Sequence, residues 1–187
     1  YNPAGRLPVT FYKSDSDLPG FEDYSMDSRT YRYFKGTPLY GFGYGLSYST
    51  FKYDQLKMPA AAAPGKNTRV SFRITNTGKM DGEEVAQLYV SYPGQTIKTP
   101  VRALKGFKRL FLKAGESKTV SFELSPEDIS VVDEDGNLIN ATGKITISIG
   151  GSQPDPETKT SMKTVEGTLM SWSPDSKKIA FISNTKF

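Results

Sequence analysis

The side chains that most often carry out chemistry are scarce in this 187-residue chain, and two types are missing altogether. Without histidine there is no Ser-His-Asp or Cys-His relay and no imidazole ligand for a metal. Without cysteine there is no thiol nucleophile, disulfide, zinc knuckle or iron–sulfur cluster, and cysteine usage says nothing about the redox compartment. Carboxylates remain, 20 of them. A glycoside is hydrolysed by two carboxyl groups roughly 5–10 Å apart on opposite sides of a sugar. Here the acids fall in turns or on outward strand positions, and no acid/base pair stands out.

Two short motifs invite a ligand and are better explained without one. Asp133-Glu134-Asp135-Gly136-Asn137 clusters oxygen ligands, but a helix–loop–helix calcium site needs Gly at its sixth position and Glu at its twelfth. Counted from Asp133 these are Leu138 and Lys144, so the segment reads as a hairpin turn. Gly41-Phe42-Gly43-Tyr44-Gly45 lacks the GxGxxG spacing and follows no strand, so its glycines let the backbone turn between packed rings. Asn140-Ala141-Thr142 matches a glycosylation sequon by pattern only. Catalytic residues, cofactor and metal are therefore all read as none.

The elements that hold these residues fall into three zones. Residues 1–47 are rich in Pro, Gly and Tyr and show no helical or strand period; through residue 53 the chain carries 14 of its 23 aromatics. Rings at that density need a surface to pack on, either the neighbouring domain or one outside the chain.

Residues 48–150 alternate with period 2. Val70, Phe72 and Ile74 interleave with Arg69, Ser71, Arg73 and Thr75, and Ala86, Leu88, Val90 and Tyr92 with Val85, Gln87, Tyr89 and Ser91. Strands from Tyr48 to Met58, over Leu104–Leu112, at Val120–Leu124 and at Ile145–Ile149, with a helical turn at Ser125–Asp128, give seven or eight short strands. The expected fold is all-β, an immunoglobulin-like antiparallel β-sandwich with an irregular aromatic-rich arm at its N-terminal side. Its expected core includes Val70, Phe72, Ile74, Leu88, Val90, Val120, Phe122, Ile147 and Ile149, with Phe122→Ala costing about 3–5 kcal/mol. Residues 151–187 form a polar linker, a further possible strand over 164–169, and a tail.

The net charge of +4 raises the question of an anionic partner. The densest basic run, Arg102, Lys105, Lys108, Arg109 and Lys113, alternates with Leu104, Phe107, Leu110, Phe111 and Leu112, as on the solvated face of a strand. No nucleic acid is expected. No run of about 18 apolar residues is present, so no membrane-spanning segment is expected either. Tyr1 opens the chain without Met or a leader, which looks like a cut or processed end.

Four stretches in order carry a family resemblance. NPAGRLPVTFY at 2–12, RTYRYFKGTPLYGFGYGLSYSTFKY at 29–53, NTGKMDGEEVAQLYVSYP at 76–93 and VRALKGFKRLFLKAGESKTVSFEL at 101–124 resemble the C-terminal part of glycoside hydrolase family 3 enzymes, the β-glucosidases and β-xylosidases. The resemblance covers about residues 1–150, and RALKGF and LKAGES lean toward the β-xylosidase branch.

The resemblance implies an arm at 1–47 leaving a missing α/β domain, a fibronectin type III-like sandwich at 48–150, and no nucleophile or acid/base segment within the chain. The parent enzyme would be a retaining glycosidase, periplasmic or secreted, while this chain alone would be inactive and would brace the catalytic domains. Docking residues between domains are expected at Tyr31, Tyr33, Phe34, Tyr40, Phe42 and Tyr44. Tyr40, Phe42, Tyr44 and Tyr48 are expected on the sandwich, and Phe11, Tyr12, Tyr31 and Tyr33 toward the absent domains or a second copy of the chain. A free-standing carbohydrate- or protein-binding module is the alternative. The tail segment SWSPDSKKIAFIS at 171–183 resembles a single β-propeller repeat.

Overall fold

The computed structural model describes residues 1–59, 61–62, 65–93, 95–141, 143–154 and 163–169; the propeller-like tail segment lies outside the described residues. Their strands are β1 (Phe51–Lys57), β2 (Ala61–Ala62), β3 (Thr68–Asn76), β4 (Gly82–Ser91), β5 (Ala103–Leu112), β6 (Ser117–Leu124), β7 (Ser130–Val132), β8 (Leu138–Asn140), β9 (Gly143–Gly150) and β10 (Lys163–Leu169).

Period-2 alternation builds two sheets that face each other. The smaller has the order β1-β3-β6 and the larger β2-β10-β9-β4-β5, antiparallel except for the short β2–β10 pair. Their inward positions meet in one core: Val70, Phe72 and Ile74 from β3, Ala86, Leu88 and Val90 from β4, Val120 and Leu124 from β6, and Ile145, Ile147 and Ile149 from β9. This is the all-β sandwich that the alternation predicts, of the fibronectin type III-like kind that the resemblance implies.

Three local readings change. The first strand begins at Phe51 rather than Tyr48, and its pairing with β3 slips between Asp54 and Lys57, where Gln55 takes φ 52°. The expected core residue Phe122 is only half-buried: it stacks on Phe72 at 6.0 Å and lies over Gly106, at the margin of the core. The helical turn is a short 3-10 turn at Glu127–Ile129. Ser125 opens it, its N–H donating to Asp128 Oδ2 and its hydroxyl accepting from the Asp128 N–H.

The Asp133 segment is the hairpin turn between β7 and β8. Its carboxylate accepts the N–H groups of Asp135 and Asn137, and Gly136 sits at φ 84°. The oxygen that could have held a cation is holding the turn. Among the described residues no three acidic side chains come together as a metal site.

The arm folds back on itself and then onto the larger sheet. Leu7, Phe11, Leu39, Tyr40, Gly43 and Tyr44 exchange backbone hydrogen bonds, so residues 7–11 and 39–44 form a narrow ribbon. A one-turn helix, α1 (Thr30–Tyr33), lies within the segment that joins the two sides of the ribbon. β4 is consequently covered on both faces: Leu88 and Val90 by the opposite sheet, Gln87 and Tyr89 by the arm.

Candidate functional site

The described residues contain no acid/base pair set in an open cleft. Their densest concentration of buried polar contacts lies where the arm meets the larger sheet. That junction is the candidate functional site.

Gln87 stands at its centre. The side-chain amide donates to the carbonyls of Gly43 (3.2 Å) and Gly151 (2.7 Å), and its oxygen accepts from the Tyr89 hydroxyl at 2.5 Å. Such full use of a buried amide is what keeps it affordable in the interior. Gly43 has φ 79°, and a Cβ there would run into the Gln87 amide. The position therefore demands glycine on two counts. Gly41 and Gly45 answer to the same closeness, against the Gln153 side chain and the Gly5 carbonyl respectively. The Gly-x-Gly-x-Gly spacing lets the arm backbone approach the sandwich closely.

Gln153 mirrors Gln87 from the other side. Its backbone N–H donates to Phe42 O (3.0 Å) and its side-chain oxygen accepts from Phe42 N (3.1 Å). Sequence placed it in a polar linker, yet the structure buries it in the arm contact.

A second anchor is the Arg6–Glu84–Tyr53 cluster. Arg6 Nη2 lies 2.5 Å from Glu84 Oε2, and the Tyr53 hydroxyl donates to Glu84 Oε1 at 2.9 Å. Burial pushes the Glu84 carboxyl above its ordinary value, with the Arg6 charge and the Tyr53 and Arg6 hydrogen bonds pulling the other way. Tyr53 is raised as well, by burial first and then by the Glu84 charge. The cluster floors a cleft of about 450 Å³ walled by Tyr44, Phe51 and Ser152.

The predicted docking residues divide among three environments. Tyr31 stacks on Phe42 with ring centroids 4.1 Å apart, meets Tyr89 edge-on at 6.2 Å, and accepts the Leu104 N–H at 3.2 Å. The expectation that Tyr31 faces away is thus corrected, because its hydroxyl caps a donor at the bulged start of β5 that the sandwich without the arm would leave open. Phe34 is buried and meets Tyr12 edge-on at 4.8 Å; Tyr33 is half-buried with the Arg32 guanidinium over its ring.

Tyr40 and Tyr44 pack at 5.1 Å, and Tyr40 meets Phe11 at 6.2 Å, forming a ring ladder along the arm ribbon beside a cleft of about 550 Å³. Tyr40 is therefore packed within the arm rather than on the sandwich, and its outer side is open. Tyr48, expected on the sandwich, is 71% exposed: its backbone N–H is held by Asn2, which turns the ring outward.

Arg6, Glu84, Gln87 and Gln153 were missed from sequence. Glu84 did leave a signal, since it shares strand parity with Ala86, Leu88 and Val90 and so points a carboxylate inward. Arg6 and Gln153 left none, because their partners lie 78 and 111 residues away.

Relatives fit this geometry. Residues 1–48 match the glycosyl hydrolase family 3 C-terminal domain and residues 84–153 the fibronectin type III-like domain. A xylan 1,4-β-xylosidase of Xylanibacter ruminicola is 44% identical over 160 residues, covering 85% of this chain and 18% of its own length. A periplasmic β-glucosidase of Salmonella typhimurium is 37% identical over 164 residues, covering 80% of this chain and 21% of its own. Among solved structures, a β-glucosidase from Erythrobacter marinus superposes with a TM-score of 0.73 at 34% identity, over 90% of this chain and 22% of that one. By these matches the chain is a C-terminal module of a glycoside hydrolase, a fibronectin type III-like sandwich preceded by an aromatic arm, and it belongs to glycoside hydrolase family 3. It spans about a fifth of the length of these relatives.

Proposed function

We propose that the chain braces the catalytic domains of a family 3 β-glycosidase, acting on xylo- or gluco-oligosaccharides, and contributes no catalytic residue of its own. The observation that carries this reading is the two-sided arm. One side is locked to the sandwich through Gln87, Gln153, Arg6 and Tyr31. The other shows an open ladder of Phe11, Tyr40 and Tyr44 beside an apolar cleft. An exposed apolar patch flanked by a rigidly held scaffold fits a protein contact. The docking partner is the catalytic part of the parent, and its compartment is the periplasm or the cell exterior, as the name of the Salmonella relative supports. Among the described residues no helix is long and apolar enough to cross a membrane.

The test is a chimera in which this chain replaces the matching region of the Xylanibacter xylosidase. The chimera should hydrolyse an aryl β-xyloside, the chain alone should not, and Phe11→Ser with Tyr40→Ser should make the chimera inactivate faster on heating. Turnover by the chain alone, or an unchanged inactivation rate in the double variant, would overturn the reading.

A further inference from the structure

β5 is an edge strand, and its outer face is unevenly covered. Gln87 on β4 lies opposite Phe107, Val85 opposite Arg109 and Glu83 opposite Phe111, so these six share one face of the larger sheet. The arm buries Gln87. Two residues farther out, Arg109 is neutralised by Glu83, and both bond the Tyr1 hydroxyl. Phe107 and Phe111 flank that pair, 68% and 49% exposed. Two large rings on an ordered strand, continuous with a formed interface, make an apolar strip with an ion pair at its centre.

We propose that Phe107 and Phe111 form a second docking surface, on the sandwich itself, and that the polypeptide leading into Tyr1 in the parent glycosidase covers it. This rests on the bracing function above. Three features choose that occupant. The Tyr1 hydroxyl is tied to Glu83 and Arg109, so a chain running into Tyr1 passes within one side chain's length of the strip. About four fifths of the length of each relative lies outside the matched region, which supplies ample chain to cover the strip. A second copy fits poorly, because two antiparallel β5 edges brought together about Lys108 would set that cation against its own counterpart.

Hydroxyl-radical footprinting read by mass spectrometry reports the exposure of individual rings. In the 187-residue chain at low concentration, Phe107 and Phe111 should label strongly. In the chimera with the Xylanibacter catalytic domains they should label several-fold less, together with Phe11 and Tyr40. If the chimera does not fold, the same comparison is made on the chain mixed with those domains as a separate polypeptide. Protection of Phe11 and Tyr40 without Phe107 and Phe111 overturns this inference and leaves the bracing function standing. Protection of neither pair overturns both. Protection of Phe107 and Phe111 in the chain alone that rises with its concentration assigns the strip to a second copy and also overturns the inference. As a second readout, Phe107→Ser with Phe111→Ser should leave the melting temperature of the chain unchanged and lower that of the chimera.

Discussion

Tyr31 lies face to face with Phe42, ring centroids 4.1 Å apart and planes 17° from parallel, while its hydroxyl accepts the backbone N–H of Leu104 on β5. One side chain thus ties together both halves of the arm and the edge of the sandwich. Removing the hydroxyl and removing the ring should have separable effects. Tyr31→Phe should cost about 1 kcal/mol for one unsatisfied backbone donor. Tyr31→Ala should cost several times that and raise amide exchange through residues 30–44. Equal unfolding midpoints for the two variants in urea would show that the stack contributes nothing.

Gly43→Ala combines a backbone conformation that L-residues avoid with a collision against Gln87. The expected loss exceeds about 1 kcal/mol, because Ala at such a φ is strained before any contact is counted. The damage should be confined to the arm. Hydrogen exchange should accelerate in residues 5–45 and stay slow in β3 and β6, and uniform acceleration would contradict a separable arm.

Arg6→Ala leaves Glu84 buried without its cation, which in other proteins costs about 3–5 kcal/mol at neutral pH. The cost should shrink in acid, since a protonated Glu84 needs no counter-charge. A pH-independent loss, measured by urea unfolding at several pH values, would argue against the ion pair as its origin.

The titrations of Glu84 and Asp54 should oppose one another. Glu84 is raised above its ordinary value by burial, so the native state binds its proton more tightly. The stability it contributes is present below the unfolded value and declines as pH rises through the folded one. Asp54 is lowered, chiefly by the hydrogen bond from Arg73, so its contribution is present above the unfolded value and disappears as pH falls. Glu84→Gln should therefore flatten the decline of stability with rising pH, and Asp54→Asn the loss on acidification. Unchanged pH profiles in both variants would refute the assignment.

Phe72→Ala should cost about 3–5 kcal/mol, as expected for a fully buried ring. Phe122→Ala should cost about half as much, because Phe122 is half-buried at the core margin. Thermal unfolding of the two variants checks the order, and the reverse order would place the core boundary elsewhere.

The sequence by itself determined the sandwich. Alternation in β3, β4 and β9 assigned the inward residues because a strand places every second side chain on the same face, a rule that depends only on neighbours along the chain. The Asp133 turn and the triple-glycine turn were legible for the same local reason. What the outer face of β4 packs against was not legible. Gln87 and Tyr89 read as the solvated alternates of Leu88 and Val90, and only the returning arm makes them interior. Arg6 and Glu84, Phe42 and Gln153, and Tyr31 and Leu104 meet across 78, 111 and 73 residues. Pairings that distant have no period to betray them. Which rings face inward is decided by where the backbone of the arm crosses the sheet, and that crossing is set by hydrogen bonds formed only in the folded chain.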